Sequence, residues 1–370
     1  MTINHPDALY RIALSLCDGI GPILGKGLIN SLGSAEAVFK ASAKTLTSVA
    51  GVSAKISTNV RDTLPLKRAE EEIAFIDKNG FLMHFYDDSS YPRRMKHCAD
   101  APLILYQKGN LNLNPNRSVA IVGTRSITDY GRGFMEGFMP ELKAYEPQVI
   151  SGLAYGVDAL AHREAVNQGL KTIAVVAHGL DSIYPALHRK LAADILADGG
   201  AIVTEFLSQS KPDRENFPKR NRIIAAMSDA VIVVEAARKG GALITADLAF
   251  QYNRDVFALP GRRNDAFSEG CNLLIKSNKA SLLESVKDLE YIMRWQQKLA
   301  VQQVELPFYD DLTREEQDLI GLIGANSQPK EVEWLATNLE LSMSNLLVQL
   351  LNLELKGLLV SMPGKRYRLA

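Results

Sequence analysis

The sequence has little cysteine and no net charge, and both features narrow the kind of protein that it encodes. Its three cysteines, Cys17, Cys98 and Cys271, are far apart and form no CxxC pattern, so neither a zinc site nor a disulfide framework is indicated. The 370 residues carry 42 basic and 42 acidic side chains, a balance that excludes a uniformly basic surface for nucleic acid. Any site for an anion must therefore be local.

Long apolar runs are missing as well. The chain contains no run of about 18 apolar residues that would span a membrane. Its first residues lack the basic and then apolar pattern of a secretory signal, so we expect a cytoplasmic protein. Hydrophobic residues make up 46% of the chain and charged residues 23%, which is typical of soluble globular proteins, and the length indicates two or three domains.

Two nucleotide-binding signatures are also absent. The loop GTRSITDYG is not GxGxxG, and no acidic residue ends the second strand candidate to hold a ribose. The pattern GxxxxGK[ST] occurs nowhere in the chain. These absences argue against a dinucleotide cofactor and against a P-loop ATPase, and we predict neither a cofactor nor a metal site.

The pattern along the chain divides it into four segments. Residues 1–65 read as short helices with glycine-containing turns, and residues 66–116 form a connector. Residues 117–298 alternate strands with helices. Residues 299–370 show three amphipathic helices and then a short hairpin, the pattern of a winged-helix domain. This last segment is acidic, so it is a poor candidate for binding DNA by charge.

The N-terminal hairpins around Gly19 and Gly51 fit two interpretations. A helix that starts after a glycine turn can offer its backbone N–H groups to a phosphate. A small helical bundle uses glycine only to close its turns. The sequence leaves both interpretations open.

Six apolar strand candidates lie within residues 117–298. They are Val119–Val122, Val149–Ile150, Thr172–Val176, Ala201–Thr204, Ala230–Val234 and Val256–Leu259. Short apolar runs that alternate with helices favour a parallel sheet covered on both faces. We therefore predict an α/β fold, in which a Rossmann-like, doubly wound parallel sheet is flanked by the helical N-terminal segment and the winged-helix domain.

Small or polar residues follow each of these strands. Those that we single out after the first two strands are Gly123, Thr124, Arg125, Ser151, Gly152 and Gly156. Glycine lets a ligand approach the backbone, and a helix that starts beside it points N–H groups at an anion. Arg125 is placed for a bidentate contact with phosphate. Turn chemistry explains any single glycine, but the set of loops favours a binding crevice at the strand ends.

A basic segment precedes the fifth strand, and a glycine loop follows it. The segment contains Phe217, Lys219, Arg220, Asn221 and Arg222, and the loop contains Lys239, Gly240 and Gly241. One aromatic ring beside several cations suits base stacking and contact with a nucleic-acid backbone. The alternative is a solvated surface run with the aromatic ring in the core, and composition does not separate the two.

The candidates for acid–base chemistry near the strand ends are the acids Asp158, Asp181, Glu205, Glu235 and Asp247 and the bases His162 and His178. Of these, Asp158, His162, Glu205 and Glu235 belong to the predicted site. Paired carboxylates near a ribose can promote glycosidic cleavage. We prefer a structural role, in which the two glutamates accept hydrogen bonds from loop N–H groups or pair with the arginines of the basic segment. His162 would then pack or cap a helix. We predict no catalytic residue and no enzyme activity.

Five motifs together resemble one known family. In chain order they are GTRSITDYG, SGLAYGVDALAH, HGLDSIYP, FPKRNRIIAAMSDAVIVVEAARKGGALITADLA and DVFALPG, and they are similar to the DNA-processing protein DprA (Smf) family. The helical N-terminus resembles that family's SAM-like or helix–hairpin–helix extension, and the C-terminus resembles its winged-helix domain. The resemblance covers nearly the whole chain and is weaker at both ends.

The resemblance implies a function and a site. It implies a homodimer, paired through the Rossmann-like domain, that binds single-stranded DNA, protects incoming DNA and loads the RecA recombinase on it during natural transformation. The implied DNA pocket uses Arg125 and the FPxRNR motif at Phe217–Arg222. Two positions depart from the family pattern, because Gly240-Gly241 replaces the usual Ser-Gly and His178 replaces a small residue.

Two other functions remain as alternatives. The superfold also hosts the cytokinin-activating LOG phosphoribohydrolases, whose PGGxGTxxE motif carries the chemistry. Residues 239–247 of this chain share that motif's glycines and threonine, but its final glutamate is not matched. The other alternative is an adaptor that binds a nucleotide and regulates a partner.

Overall fold

The computed structural model describes residues 7–296, 312–324, 329–339, 341–362 and 364–369. The chain folds into two compact units, residues 1–297 and 298–370. The finer division of the first unit after residues 65 and 116 stays a prediction. Residues 299–311, which the sequence assigns to the start of the winged-helix domain, lie outside the described residues.

Short helices and glycine turns open the first unit, as the sequence predicts. The helices are α1 (Ala8–Leu16), α2 (Pro22–Leu32), α3 (Ala35–Lys40), α4 (Ala43–Thr47), α5 (Ala54–Val60) and the longer α6 (Leu64–Asn79). Gly19 and Gly51 lie in the two predicted turns with φ of +88° and +87°, a left-handed backbone that favours glycine. Buried side chains of these helices form one cluster with part of the sheet.

Nine strands within residues 7–296 form a single sheet. They are β1 (Leu82–Phe85), β2 (Ile104–Lys108), β3 (Ser118–Val122), β4 (Gln148–Ser151), β5 (Thr172–Val175), β6 (Ala201–Thr204), β7 (Ala230–Val233), β8 (Asp255–Ala258) and β9 (Ser281–Leu282). Their order is β1-β2-β6-β5-β4-β3-β7-β8-β9. The seven strands β3 to β9 run parallel to one another. At one edge of the sheet, β2 pairs antiparallel with β6, and β1 pairs antiparallel with β2. The six predicted strands are β3 to β8, and the predicted Rossmann-like fold is confirmed.

Helices cover both faces of this sheet. They are α7 (Asp129–Leu142), α8 (Val157–Gln168), α9 (Arg189–Ala197), α10 (Asn216–Met227), α11 (Gly241–Gln251), α12 (Glu269–Lys276) and α13 (Val286–Met293). On β3, Val119 and Ile121 belong to the core cluster that includes α7 and α8. Ala120 and Val122 belong to the cluster that includes α10 and α11. Because successive residues of a strand face opposite layers, both must be apolar, which explains the continuous apolar runs in the sequence.

The order of the strands reverses at β3. From β3 the chain adds β4, β5 and β6 in one direction, and it then returns to place β7 on the other side of β3. The loops that leave the carboxyl ends of β3 and β7 therefore diverge to opposite sides. In open α/β sheets such a switch point forms the ligand crevice.

The connector is tied to the sheet by more than its two strands. Arg94 donates hydrogen bonds to both carboxylate oxygens of Asp229 at 2.6 and 2.7 Å, and it also reaches the carbonyls of Pro115 and Asn116. Asp229 in turn accepts from the backbone N–H of Ser118, at the start of β3. One buried guanidinium thus joins the connector to the neighbouring strands β3 and β7.

The second unit has the winged-helix architecture that the sequence predicts. Its elements are α14 (Arg314–Gly324), β10 (Lys330–Glu331), α15 (Val332–Leu339), α16 (Met343–Leu355), β11 (Leu359–Met362) and β12 (Arg366–Leu369), with sheet order β10-β12-β11. Thr313 and Glu316 exchange hydrogen bonds between side chain and backbone at the start of α14, which is the geometry of a capping box.

Replacing Arg94 with methionine is expected to lower the free energy of unfolding by about 3 kcal/mol, because the carboxylate of Asp229 loses its cationic partner. Urea unfolding followed by circular dichroism measures this change. The matched control is Lys279→Met, which breaks the exposed pair with Asp247 and is expected to cost less than about 1 kcal/mol. Equal effects of the two substitutions would contradict a structural role for the Arg94–Asp229 pair.

Candidate nucleic-acid interface

A pocket of about 370 Å³ lies at the switch point between β3 and β7. Ten of the eighteen residues singled out from the sequence line it, namely Gly123, Thr124, Arg125, Asp158, Phe217, Arg220, Asn221, Lys239, Gly240 and Gly241. They come from four separate loops or helices that the sheet topology brings together. This pocket is called the crevice below.

Arg220 lies on α10 at the base of the crevice and is only 4% exposed. Its Nη1 donates to the carbonyl of Val175 at the end of β5, at 2.9 Å. Nε has no hydrogen-bond partner among the residues that the structure describes. Burial lowers the pKa of Arg220 and nearby Arg125 lowers it further, while Asp158 opposes the shift. A desolvated cation with an unsatisfied N–H favours the approach of an anion.

Asp158 is the buried acid of this site. Burial raises the pKa of its carboxyl group, whereas Arg220 and the backbone N–H groups of Ala154 and Gly152 counteract that shift. A Cβ atom at Gly152 would lie 1.5 Å from Nη1 of Arg220. Glycine is therefore required at position 152 so that the guanidinium can lie against the backbone.

Arg125 also lines the crevice. It follows β3, its side chain is exposed, and its guanidinium lies 5.4 Å from the centre of the Phe217 ring. Phe217 is partly buried at the start of α10. Arginine stacked on an aromatic ring keeps its N–H groups free for an anion, because the contact uses only the face of the guanidinium.

Backbone geometry holds the loop of Arg125 in place. Gly156 has φ of +75°, and a Cβ atom there would lie 2.2 Å from the carbonyl oxygen of Thr124. A Cβ atom at Gly123 would meet Val157 at 2.5 Å. The first two loops therefore pack directly against each other through their glycines. On the other side of the crevice, Gly240 precedes α11, whose first N–H groups lie at the positive end of the helix dipole.

Both candidate glutamates have structural partners. Glu205 pairs with Arg222, and burial raises the pKa of Glu205 although Arg222 opposes the shift. Glu235 accepts hydrogen bonds from the backbone N–H of Thr128, at 2.9 Å, and from its hydroxyl. Of the basic segment, Arg222 is thus engaged outside the crevice, and Lys219 is exposed and does not line it.

Ser151 and His162 lie beneath the crevice rather than in it. The hydroxyl of Ser151 donates to the carbonyl of Ile121 at 2.6 Å. His162 is 0% exposed and its Nδ1 lies 2.7 Å from the hydroxyl of Thr172. Burial lowers the pKa of His162 to about 3. These contacts brace β3, β4 and β5, as expected for a packing histidine.

Tyr155 and Tyr184 are not among the site residues predicted from the sequence. Their side chains are 40% and 45% exposed, and both line a small pocket beside the crevice together with Arg125, Phe217 and Arg220. Tyr184 lies 6.3 Å from Phe217, measured between ring centres. In the sequence, each of the two tyrosines is an aromatic residue in a loop that follows a strand. That pattern indicates a binding site only weakly until the fold is known.

No group of three or more His, Cys, Asp or Glu side chains among the described residues is arranged to hold a metal ion. Within the same part of the chain, no helix is long and apolar enough to cross a membrane. The three cysteines are free and buried.

Comparisons with known proteins agree on one family. A family model described as "DNA recombination-mediator protein A" matches residues 82–293, and one described as "DprA winged helix domain" matches residues 307–365. Protein Smf of Escherichia coli is 33% identical over 310 residues, which make up 83% of this chain and 82% of that protein. The DNA processing protein DprA of Streptococcus pneumoniae is 40% identical over 202 residues, which make up 55% and 71% of the two chains.

Two solved structures are similar as well. The X-ray structure of DprA from Streptococcus pneumoniae has a TM-score of 0.63 and 30% identity, with 80% of this chain and 99% of that chain covered. The structure of DNA processing protein A from Helicobacter pylori has a TM-score of 0.52 and 29% identity, with 59% and 99% covered. The Helicobacter pylori structure is described as giving insight into that protein's single-stranded DNA binding mode.

Because the imidazole of His162 is buried, we expect the folded protein to lose stability in acid. As pH falls below about 6.5, the unfolded chain binds a proton at this residue, and the folded chain does not until the pH reaches about 3. His162→Gln is therefore expected to make the dependence of the unfolding free energy on pH shallower by about 1.4 kcal/mol per pH unit in that window.

Urea unfolding at a series of pH values measures this slope. Exposed His97 supplies the control, and His97→Gln is expected to leave the slope unchanged. If His162→Gln keeps the slope of the unsubstituted protein, His162 is not the buried neutral group described here.

Proposed function

Since the chain belongs to the DNA recombination-mediator protein A family, we propose that it binds single-stranded DNA in the crevice without catalysing a reaction, protects that DNA and loads the RecA recombinase on it. The observation that carries this proposal is the pair of guanidiniums, buried Arg220 and exposed Arg125, in the lining of one crevice at the switch point. In this role the protein acts in the cytoplasm during recombination and natural transformation.

The proposed ligand of the two guanidiniums is a phosphate of the DNA backbone. Arg125 and Arg220 interact unfavourably with each other, so an anion between them relieves repulsion as well as forming charge-assisted hydrogen bonds. The N–H groups at the start of α11 and the side chain of Lys239 add positive potential on the far side. These contacts read the backbone and not the bases, which fits sequence-independent binding.

Phe217 supplies the second requirement of a single-strand binder. Its ring lies beside Arg125 at the mouth of the crevice, where an unpaired base can stack while its phosphate meets the guanidinium. Every base has an aromatic face, so such stacking tolerates any sequence. The related Helicobacter pylori protein, whose structure is described by its single-stranded DNA binding mode, supports this choice over duplex DNA.

The carboxylates favour binding over nucleotide hydrolysis. Glu235 is engaged by Thr128, Glu205 is engaged by Arg222, and buried Asp158 balances the charge of Arg220. A phosphoribohydrolase needs a carboxylate directed at the ribose, and each of these three has a structural task. Incubation with purine monophosphates tests this alternative, since release of free base would contradict the binding function.

We propose homodimer formation through the Rossmann-like unit because apolar side chains are exposed on its edge strand β9 and on α13, the next helix in the chain. Leu282 is 42% exposed, and Tyr291 and Ile292 on α13 are 85% and 36% exposed. Exposed apolar side chains that cluster on one surface favour an interface. Two crevices on one dimer would lengthen the DNA footprint and raise affinity by avidity, which matters for a chain of zero net charge.

We assign the winged-helix unit to protein contact. Its third helix, α16, contains no Lys or Arg, although that helix is the one that enters the major groove in helix-turn-helix DNA readers. RecA is the partner that the family implies. DNA binding then rests on the first unit alone.

The substitution Arg125→Glu is expected to weaken binding to a single-stranded oligonucleotide roughly 10- to 100-fold, because it removes a charge-assisted phosphate contact and adds a repulsive charge. The slope of log affinity against log salt should become shallower by about 0.7. Fluorescence anisotropy at several salt concentrations measures both quantities, with duplex DNA as the competing ligand.

Lys143→Glu is the matched control for this experiment, because it makes the same change of charge at an exposed position after the C-terminal end of α7. It should leave affinity within about twofold, since exposed charges more than a Debye length away are screened. Unchanged affinity of Arg125→Glu would rule out the crevice as the DNA site.

A chain that ends at residue 297 is expected to bind single-stranded DNA about as tightly as the full chain, but to load RecA poorly. Anisotropy measures the first property, and RecA ATPase activity on DNA coated with single-strand-binding protein measures the second. A truncated chain that loses DNA binding would contradict the assignment of the winged-helix unit to protein contact.

A further inference from the structure

His178 lies in the loop between β5 and α9, next to the crevice. Its ring is 1% exposed, and it lines the small pocket that also contains Arg125, Tyr184 and Phe217. The function proposed above assigns it no task. Its contacts nevertheless connect a buried titratable group to an exposed aromatic side chain at the DNA site.

Both ring nitrogens of His178 meet backbone groups of fixed polarity. Nδ1 lies 2.8 Å from the carbonyl oxygen of Gly179, which can only accept a hydrogen bond, so Nδ1 carries the proton. The backbone N–H of Tyr184 donates to Nε2 at 3.2 Å, so Nε2 is unprotonated. The two contacts require neutral imidazole in one tautomer.

Tyr184 is the residue that this contact holds. Its side chain is 45% exposed, and its ring centre lies 6.3 Å from that of Phe217, with the planes inclined by 56°. Arg125 lies over the far end of the same aromatic pair, at 5.4 Å from Phe217. Two neighbouring rings with solvent-facing surfaces form a platform on which unpaired bases can stack.

We propose that neutral His178 is a positioning residue that holds Tyr184 beside Phe217 as a second stacking surface for single-stranded DNA, and that its protonation releases this surface. The inference rests on the proposed function for its DNA ligand, but the contact between His178 and Tyr184 does not. Protonated Nε2 is a donor and can no longer accept from the backbone N–H of Tyr184.

The surroundings of His178 determine the pH at which its ring is protonated. Asp181, on the same loop, favours the protonated ring, whereas Arg220 from α10 disfavours it. Burial is the largest influence, and it lowers the pKa of His178 below the ordinary value of about 6.5. Since only neutral His178 accepts the hydrogen bond from Tyr184, the stacking platform is intact above the pKa of His178 and is lost as the pH falls through that pKa. DNA affinity should fall in the same window.

The first test uses the full chain without DNA. Hydrogen exchange of the peptide that contains Tyr184 is followed at a series of pH values from about pH 8 down to the onset of acid unfolding, after correction for the intrinsic dependence of exchange on pH. We expect protection of this amide to fall at least about tenfold in acid. His178→Gln retains an acceptor in place of Nε2 and does not titrate, so its protection should stay constant. Equal loss of protection in both proteins would overturn the proposal.

The second test measures affinity for a single-stranded oligonucleotide across the same pH range at constant salt. The unsubstituted protein should lose about tenfold in affinity, the factor expected when one stacked base is lost. Tyr184→Ala should be weak at every pH, and His178→Gln should be tight at every pH. An oligonucleotide with abasic sites should bind more weakly and show no dependence on pH.

The outcomes separate this proposal from the function on which it rests. Absence of DNA binding by the unsubstituted protein at every pH refutes the proposed function, and the exchange experiment still decides whether His178 holds Tyr184. Normal binding with the same acid loss in His178→Gln refutes the positioning role of His178. Normal binding by Tyr184→Ala refutes the stacking surface.

Discussion

The crevice is organised around one buried cation, the guanidinium of Arg220. A charge that is removed from water is costly unless its environment compensates it, and three features of the fold provide that compensation. The carbonyl of Val175 accepts one hydrogen bond, Asp158 supplies negative charge nearby, and glycine at position 152 leaves space for the group. Val175 ends β5, and Gly152 and Asp158 lie in the segment that leads from β4 into α8, so the position of Arg220 depends on two neighbouring strands of the parallel sheet.

The same cation explains why the surrounding loops are constrained. Arg220 can stay beneath the crevice only if the loop of Gly152 lies close to it, and that loop in turn packs against the loop of Arg125 through Gly156. Glu235 fixes the other end of the Arg125 loop through Thr128. The acidic residues therefore have structural roles that shape the site. A ligand meets a largely preorganised set of donors, which reduces the entropy lost on binding.

Much of this organisation is predictable from the sequence, and the remainder has a definite physical cause. Apolar runs predict β3 to β8, because strands that are buried on both faces must be apolar throughout. Glycine and polar residues after those runs locate the crevice, because parallel strands bring their carboxyl ends to one edge. The antiparallel pairing of β2 with β6 was not predictable, since it joins residues about 100 positions apart and no local pattern encodes it. The roles within the basic segment were also open, because neighbouring arginines on a helix point in different directions and only the packed structure shows that Arg222 meets Glu205.

A protein of zero net charge can bind a polyanion if its positive potential is concentrated in a low-dielectric crevice. The two arginines then contribute in different ways. In the proposed function, exposed Arg125 is screened by salt, and it supports capture of DNA and accounts for much of the dependence on ionic strength. Buried Arg220 is screened far less, and its contribution persists at high salt because little solvent separates it from its ligand. The zero net charge of the chain is therefore compatible with the proposed DNA site, since the proposed affinity depends on where Arg220 is held and not on the overall charge of the molecule.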